Sequence, residues 1–149
     1  MALDEYKKKR DFIITPEPEG SVQGIEGEFV VQEHHASHLH FDFRLSLDGV
    51  LKSWAVPKGV PLEKGVRRLA VETEDHPIEY LDFEGVIPEG QYGSGEVKIW
   101  DRGEFDLIER TPDRIVINIE GAKLKGQYAL IRFKGKEKEG KNWLLIKMA

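Results

Sequence analysis

Residues 38–47 read His38-Leu-His-Phe-Asp-Phe-Arg-Leu-Ser-Leu47, and this stretch decides the fold. Polar and apolar residues alternate along it without exception. Because side chains in a β-strand point to opposite faces in turn, the pattern predicts a strand with one apolar face and one polar face. The polar face carries imidazoles, a carboxylate and a guanidinium, where a plain solvent-facing strand usually carries Lys, Thr or Glu. The stretch therefore predicts a functional site as well as a sheet.

The alternating pattern continues on both sides of this strand. Residues 29–32 begin a preceding strand, and His34 shares the parity of the polar face. Asp48-Gly49 separates two alternating runs, which predicts a tight hairpin and a return strand at 50–56. Residues 75–77 and 88–95 are predicted turns, and 78–83 receive no assignment. Further strands are predicted at 68–74, 96–101, 104–109, 114–120, 126–133 and 142–148.

Many short strands at regular spacing predict an all-β protein, a compact β-barrel of short antiparallel strands with little helix. Its Leu and Phe face points inward, and its His-rich face lines a concave groove. At 149 residues, one domain covering 1–149 is expected. Residues 1–12 are mostly charged, which predicts a short helix or a loose arm, with 7–10 as a solvated tail.

The composition of the chain limits which metal ligands and which binding partners are expected. The chain has no cysteine, so it has no disulfide, and a metal site must use His, Asp or Glu. No apolar run approaches the roughly 20 residues that span a bilayer, and the N-terminus lacks a secretory pattern, so we expect a cytoplasmic protein. The net charge of −5 argues against a generic nucleic-acid binder but leaves room for a local basic groove.

His34, His40 and Asp42 form a candidate metal site, because two neutral imidazoles and one carboxylate are a common ligand set for a divalent metal with open positions. The simpler alternative is a group of surface histidines hydrogen-bonded to water. The same ligand set also describes non-haem iron oxygenases, and a His-x-His strand is typical of cupins. His38 has the parity of the site but only flanks it, whereas His35 has the opposite parity.

Arg44 favours a phosphate ligand, since a guanidinium two residues beyond Asp42 complements a bidentate oxyanion; a salt bridge to Asp42 or a glutamate is the alternative. His76 titrates near neutral pH, which suits contact with a phosphoryl oxygen or protonation of a leaving group, and equally suits a structural role. The glycine-rich run at 90–95 lacks the lysine of a P-loop and is better explained as a turn.

These residues resemble a known family, the 3′-phosphoesterase domain of bacterial DNA ligase D, which also exists as free-standing bacterial and archaeal proteins. The resemblance rests on Gln32-x-His34 through Arg44, followed by Asp48-Gly-Val-Leu-Lys-Ser-Trp-Ala-Val-Pro-Lys-Gly59. It continues in shorter motifs over nearly the whole chain: 9–12 with 15–18, 74–77, 83–88, 90–95, 100–103 and 142–147.

The resemblance implies a manganese-dependent enzyme that heals 3′ ends of DNA or RNA/DNA primer-templates. Such an enzyme removes a 3′-terminal ribonucleoside and then the remaining 3′-phosphate, leaving a 3′-hydroxyl. It implies His34, His40 and Asp42 as metal ligands, with Mn²⁺ suited to them and Zn²⁺ or Co²⁺ as alternatives. Arg44 and His76 would bind the scissile phosphate, with Tyr80 beside them. Further functional positions of the family match Glu17, Gln32, Lys58 and Arg68.

The chain departs from the family pattern at His35, where an aspartate is usual, and at His38, where arginine or lysine is usual. Substrate contacts are expected to differ there. A separate DNA ligase, a polymerase or a Ku-like end-binding protein is an expected partner. Two other functions stay open: a non-catalytic module that binds DNA ends and recruits a ligase, and a metal-dependent oxygenase.

Overall fold

A computed structural model describes residues 3–20, 26–134 and 140–149. Its elements in chain order are α1 Asp4–Lys8, β1 Glu28–His35, β2 Leu39–Leu47, β3 Val50–Val56, β4 Arg67–His76, a 3-10 helix Ile78–Asp82, β5 Gly85–Ile87, β6 Gly95–Thr111, β7 Arg114–Gly121, β8 Lys125–Arg132 and β9 Asn142–Lys147. All strand pairs are antiparallel. In this described part of the chain, no helix is long and apolar enough to cross a membrane.

The strands close into an eight-stranded barrel in the order β1-β2-β3-β4-β9-β8-β7-β6, with β6 returning to pair with β1. Closure pairs both edges of every barrel strand, and the short β5 is added to β6 outside the ring. This confirms the predicted all-β antiparallel barrel with little helix. The hairpin after β2 is confirmed too: Asp48 and Gly49 have φ angles of 59° and 78°. Two successive positive φ angles suit the twist of the strands they join.

Two apolar cores lie on opposite faces of the barrel wall. The inner core takes side chains from all eight barrel strands, among them Phe29, Phe43, Trp54 and Leu145. The outer core joins Val30 of β1 and Leu51 of β3 to side chains from α1, the 3-10 helix, β5 and β6. We call the segments that contribute these outer side chains the cover. The polar face of β2 is therefore partly roofed by the cover.

Three expectations about local structure are wrong. Residues 96–101 and 104–109 form one strand, because Arg102 and Gly103 between them pair with β1. Asp75 and His76 of the predicted turn at 75–77 are the end of β4, since His76 pairs with Leu51. In the predicted solvated tail at 7–10, the Arg10 side chain is only 4% exposed, because it lies in an ion-pair cluster.

A β-bulge in β4 positions part of the site. Ser53 pairs with Thr73, and Leu51 pairs with His76, so β4 holds one residue more than β3 over this interval. Strict alternation would put Thr73 and His76 on opposite faces. The extra residue lets both line the same cavity on the outer face of the wall.

We expect truncation of a single inner-core side chain to cause a large loss of stability. Leu145→Ala removes a fully buried side chain of β9 and is expected to lower the free energy of unfolding by about 2–5 kcal/mol. Urea unfolding followed by tryptophan fluorescence measures the change. Leu107→Ala, at a side chain that is 44% exposed, is the control and should stay within about 0.5 kcal/mol of the parent. Equal losses for the two variants would contradict the assignment of the core.

Candidate metal and phosphate site

The register of β1 against β2 builds the site. Val30 pairs with Arg44, Gln32 with Asp42, and His34 with His40. Residues two apart share a face, so Gln32 and His34 join the polar face of β2 on the outside of the barrel. The site is thus a cross-strand arrangement, and the histidine pair comes from two different strands.

His34, His40 and Asp42, called the triad below, each offer one ligand atom, and these atoms lie within 4.8 Å of one another. His34 Nδ1 lies 3.5 Å from Asp42 Oδ2, and His40 Nε2 lies 3.3 Å from Asp42 Oδ1. The structure therefore brings together the three residues that the sequence predicts as metal ligands.

Hydrogen bonds to backbone carbonyls fix which ring nitrogen of each triad histidine faces Asp42. His34 Nε2 donates to the Gly93 carbonyl oxygen at 2.7 Å, so the ring presents Nδ1 to Asp42. His40 Nδ1 donates to the His38 carbonyl oxygen at 3.3 Å, which directs Nε2 to Asp42. Outer hydrogen bonds of this kind orient the histidines of metal centres. His38 thus acts on the site through its backbone.

The donor set fits a divalent cation. His34 Nδ1 and the Asp42 Oδ2 atom face each other at 3.5 Å, and both are atoms that can ligate a cation placed between them. Burial by itself would raise the pKa of Asp42, but the charge of Arg44 and the imidazole contacts outweigh it and hold that pKa well below its usual range. Asp42 is therefore an anion at neutral pH, and one carboxylate with two imidazoles suits Mn²⁺, Zn²⁺ or Co²⁺.

Arg44 lies beside the triad in a fixed orientation. Its Nε donates to Gln32 Oε1 at 2.7 Å and its Nη1 to Ser53 Oγ at 2.9 Å, while Nη2 lies 3.5 Å from Asp42 Oδ2. The guanidinium carbon lies 4.8 Å from the centre of the Tyr80 ring. Arg44 is 4% exposed, so its charge acts where water screens it weakly.

Gln32 holds Arg44 from behind. It is fully buried, and its amide nitrogen donates to the carbonyl oxygens of Tyr80 and Phe83 at 2.9 and 3.0 Å. Its amide oxygen accepts from Arg44. One side chain therefore connects β1, β2 and the 3-10 helix, and we assign Gln32 to positioning Arg44.

His76 is buried against the same cavity. Burial is the main cause that lowers its pKa well below the usual value, and the charges of Arg44 and Arg10 act in the same direction. Nδ1 donates to the Glu74 carbonyl oxygen at 2.9 Å, so Nε2 accepts from Arg10 Nη2 at 3.4 Å. His76 is therefore a neutral imidazole whose Nε2 is held by a cation.

Arg10 and Glu74 are site residues that sequence reasoning missed. Arg10 Nε donates to Glu17 Oε2 at 2.8 Å, and Nη1 donates to Glu74 Oε1 at 3.2 Å. Glu17 also accepts from the Tyr80 hydroxyl at 2.7 Å. Arg10 and Glu74 are 64 residues apart in the chain, so no local pattern reports their contact; the motifs at 9–12 and 74–77 were the available signals.

These side chains surround a cavity of about 320 Å³, which we call the triad cavity. Gln32 and Glu17 are not among its lining residues in the described ranges, and both act from behind its wall. Besides the triad, the lining includes Arg10, Arg44, Thr73, Glu74, His76, Tyr80, Tyr92 and Gly93.

Lys58 and Arg68 lie elsewhere. Arg68 Nη1 donates to the Lys58 carbonyl oxygen, and both residues line a second cavity of about 400 Å³ together with Phe41 and Trp100. We call it the basic cavity. Phe41 lies between His40 and Asp42 on β2 with the opposite parity, so the two cavities flank the same strand. His35 pairs with Glu33 at 2.6 Å, away from the triad.

Comparison with known proteins identifies the family of the stretch that carries this candidate site. The sequence-family model named DNA Ligase D 3′-phosphoesterase domain matches residues 32–132 of this chain. That range includes the triad, Arg44, His76 and Tyr80. This chain belongs to the DNA ligase D 3′-phosphoesterase domain family. The resemblance stated from the sequence is thereby confirmed.

Relatives of this phosphoesterase-domain chain are named as multifunctional non-homologous end joining proteins, LigD. The Mycobacterium tuberculosis protein is 48% identical over 140 residues, which cover 89% of this chain and 18% of that protein. The Pseudomonas aeruginosa protein is 47% identical over 156 residues, covering 97% of this chain and 18% of that protein. The chain thus spans less than a fifth of the length of these two relatives.

Metal affinity should depend on the protonation of His40. A hydrogen bond with Asp42 raises the pKa of His40 above 6.5, so below that raised pKa a proton competes with the metal. We expect the apparent Mn²⁺ affinity to fall about tenfold per pH unit there, measured by the electron paramagnetic resonance of free Mn²⁺ between about pH 8.5 and about pH 5.5. His35→Ala should leave this slope unchanged, and a pH-independent affinity would contradict the expectation.

Gln32 gives a second test. Gln32→Leu leaves Arg44 Nε and two buried carbonyl oxygens without their partner, so the free energy of unfolding should fall by about 1–3 kcal/mol. Thermal unfolding measures the loss. Gln127→Leu, at a half-buried position on β8, serves as the matched control. A Gln32→Leu variant as stable as the control would contradict the role of Gln32 in holding Arg44.

Proposed function

We propose that this protein is a metal-dependent phosphoesterase that heals 3′ ends of DNA, removing a terminal ribonucleoside and then the 3′-phosphate to leave a 3′-hydroxyl for repair and ligation. The observation that carries the proposal is a triad fit for a divalent metal beside the buried cation of Arg44. Family membership and the end-joining names of the relatives support it.

Two hydrolytic steps account for the product. In the first, water adds to phosphorus, the bond from phosphorus to the 5′-oxygen of the terminal ribonucleoside breaks, and that oxygen takes a proton. In the second, water adds to the phosphorus of the remaining 3′-phosphate, the bond to the 3′-oxygen breaks, and inorganic phosphate leaves. Both steps place extra negative charge on the non-bridging oxygens.

The triad would hold Mn²⁺, or Zn²⁺ or Co²⁺, which would supply Lewis-acid stabilisation of a phosphate oxygen. Arg44 adds a fixed positive charge at the same oxygens, in a place where little reorganisation is needed. Its donors to Gln32 and Ser53 keep the guanidinium in place, so the charge is already oriented before the substrate arrives.

His76 is proposed to contact the scissile phosphate. Burial and the neighbouring cations lower its pKa, and a phosphate in the cavity would oppose that effect with its own negative charge. Tyr80 contributes a neutral hydroxyl, since burial raises its pKa well above the usual value. Glu17 holds that hydroxyl and Arg10 together, and we infer a positioning role for it.

Lys58 and Arg68 are proposed to hold the strand that leads to the end. Their cavity also exposes aromatic side chains, and a groove that combines cations with aromatic rings is suited to single-stranded nucleic acid. Part of the acidic net charge lies away from these two cavities, in a different groove lined by Glu26, Glu28, Glu104 and Asp106. A ligase, a polymerase or a Ku-like protein is the proposed partner at the same ends.

End healing is tested on a 5′-labelled primer-template that ends in either a 3′-phosphate or one 3′-ribonucleotide. We expect conversion of both to a 3′-hydroxyl with Mn²⁺, none with chelator, and a loss of at least about a hundredfold for His40→Ala and Arg44→Ala. Leu107→Ala, at an exposed side chain of β6, is the control, and gel electrophoresis measures conversion. Binding of the primer without conversion would contradict the proposal and favour a recruitment module.

A further inference from the structure

Tyr92 is an aromatic side chain at the rim of the triad cavity for which the proposed chemistry has no role. It lies in the glycine-rich turn before β6 and lines the cavity together with the triad. Its side chain is 48% exposed, whereas Tyr6 and Tyr80 are buried. An exposed ring beside a phosphate-binding cavity is available to a ligand.

The position of Tyr92 is fixed relative to the triad. The next residue, Gly93, has a φ of 75° and accepts a hydrogen bond from His34 Nε2 at 2.7 Å. On the other side, Lys9 Nζ donates to the Tyr92 hydroxyl at 3.4 Å and lies 4.6 Å from the ring centre. The ring is thus held between a candidate metal ligand and the N-terminal segment.

The chemistry of this rim suits a nucleobase. Every base has a π-face that stacks on aromatic side chains without regard to sequence. Arg10 lies 5.3 Å from the Tyr92 ring centre, so a second cation is close by. The aromatic ring suits the base of a nucleotide, and the flanking cations and the triad cavity suit its phosphate.

The placement of the two cavities indicates which nucleoside Tyr92 would contact. Lys58 and Arg68 line the basic cavity, whereas Tyr92 and Arg10 line the triad cavity. If the retained strand lies along the basic cavity and its scissile phosphate lies at Arg44, the nucleoside beyond that phosphate falls on the side of Tyr92. That nucleoside is the leaving group of the ribonucleoside-removal step.

We propose that Tyr92 stacks on the base of the 3′-terminal ribonucleoside that leaves, and so determines how well the protein removes a ribonucleoside relative to a phosphate. The inference rests on the proposed function and extends it to a substrate-recognition residue. A 3′-phosphate end has no nucleoside beyond its phosphate, so only one of the two substrates uses this contact.

The test compares Tyr92→Ala with Tyr92→Phe on primer-templates that are identical except for the 3′-ribonucleotide or 3′-phosphate end. Tyr92→Ala should lower kcat/KM for the ribonucleotide end about tenfold relative to kcat/KM for the phosphate end, mainly because KM for the ribonucleotide end rises. Tyr92→Phe keeps the ring and should keep the ratio within about twofold. Ile108→Ala, at an exposed apolar side chain on β6, controls for surface truncation.

A binding measurement in chelator separates recognition from turnover. A primer ending in a 2-aminopurine ribonucleoside should lose fluorescence on binding to the parent protein and to Tyr92→Phe, because stacking quenches it, and should keep its fluorescence on binding to Tyr92→Ala. Equal effects of Tyr92→Ala on both ends, or unchanged quenching, would overturn the inference. Conversion of neither end by the parent would instead refute the proposed function, and the quenching would still report on Tyr92.

Discussion

The pairing of β1 with β2 is the constraint on which the site depends. It sets His34 opposite His40 and Gln32 opposite Asp42 on the outer face, while Phe29, Phe43 and Leu45 fill the inner core. A slip by one residue would turn the polar face into the barrel and the apolar face outward. The free energy of packing the inner core therefore also fixes the metal-binding geometry, because the same register serves both faces.

The polar site on the outer face of the barrel depends on packing against the cover. Tyr6 of α1 packs against His76 and Tyr80, with ring centres 5.0 and 6.1 Å apart, and donates to the Pro18 carbonyl oxygen at 2.5 Å. Arg10 then reaches Glu17 and Glu74 from the same segment. Each of these buried charges has an opposite partner, which offsets the cost of removing it from water. The N-terminal segment is thus part of the wall of the triad cavity, and loss of its docking would expose Arg44 and His76 to water.

Local pattern accounts for some of this architecture and not for the rest. Alternation from 38 to 47 and the Asp48-Gly49 turn are local signals, so the sequence reports the β2–β3 hairpin and the shared face of His40, Asp42 and Arg44. The bulge that brings His76 to that face depends on pairing with β3, and alternation along β4 alone predicts the opposite side. The Arg10 cluster depends on partners distant in the chain, so charge pattern alone indicates a solvated tail. Lys58 and Arg68 carried no signal for a separate cavity, because their contact forms only when β3 and β4 pair.

The proposed chemistry depends on a metal held by β1 and β2 on the outside of the barrel. Anomalous diffraction at the manganese edge, from crystals of the full chain grown with Mn²⁺, locates that ion directly. We expect a peak in contact with Nδ1 of His34, Nε2 of His40 and a carboxylate oxygen of Asp42, next to Arg44. A peak in the acidic groove of Glu26, Glu28, Glu104 and Asp106 with none at the triad would contradict it.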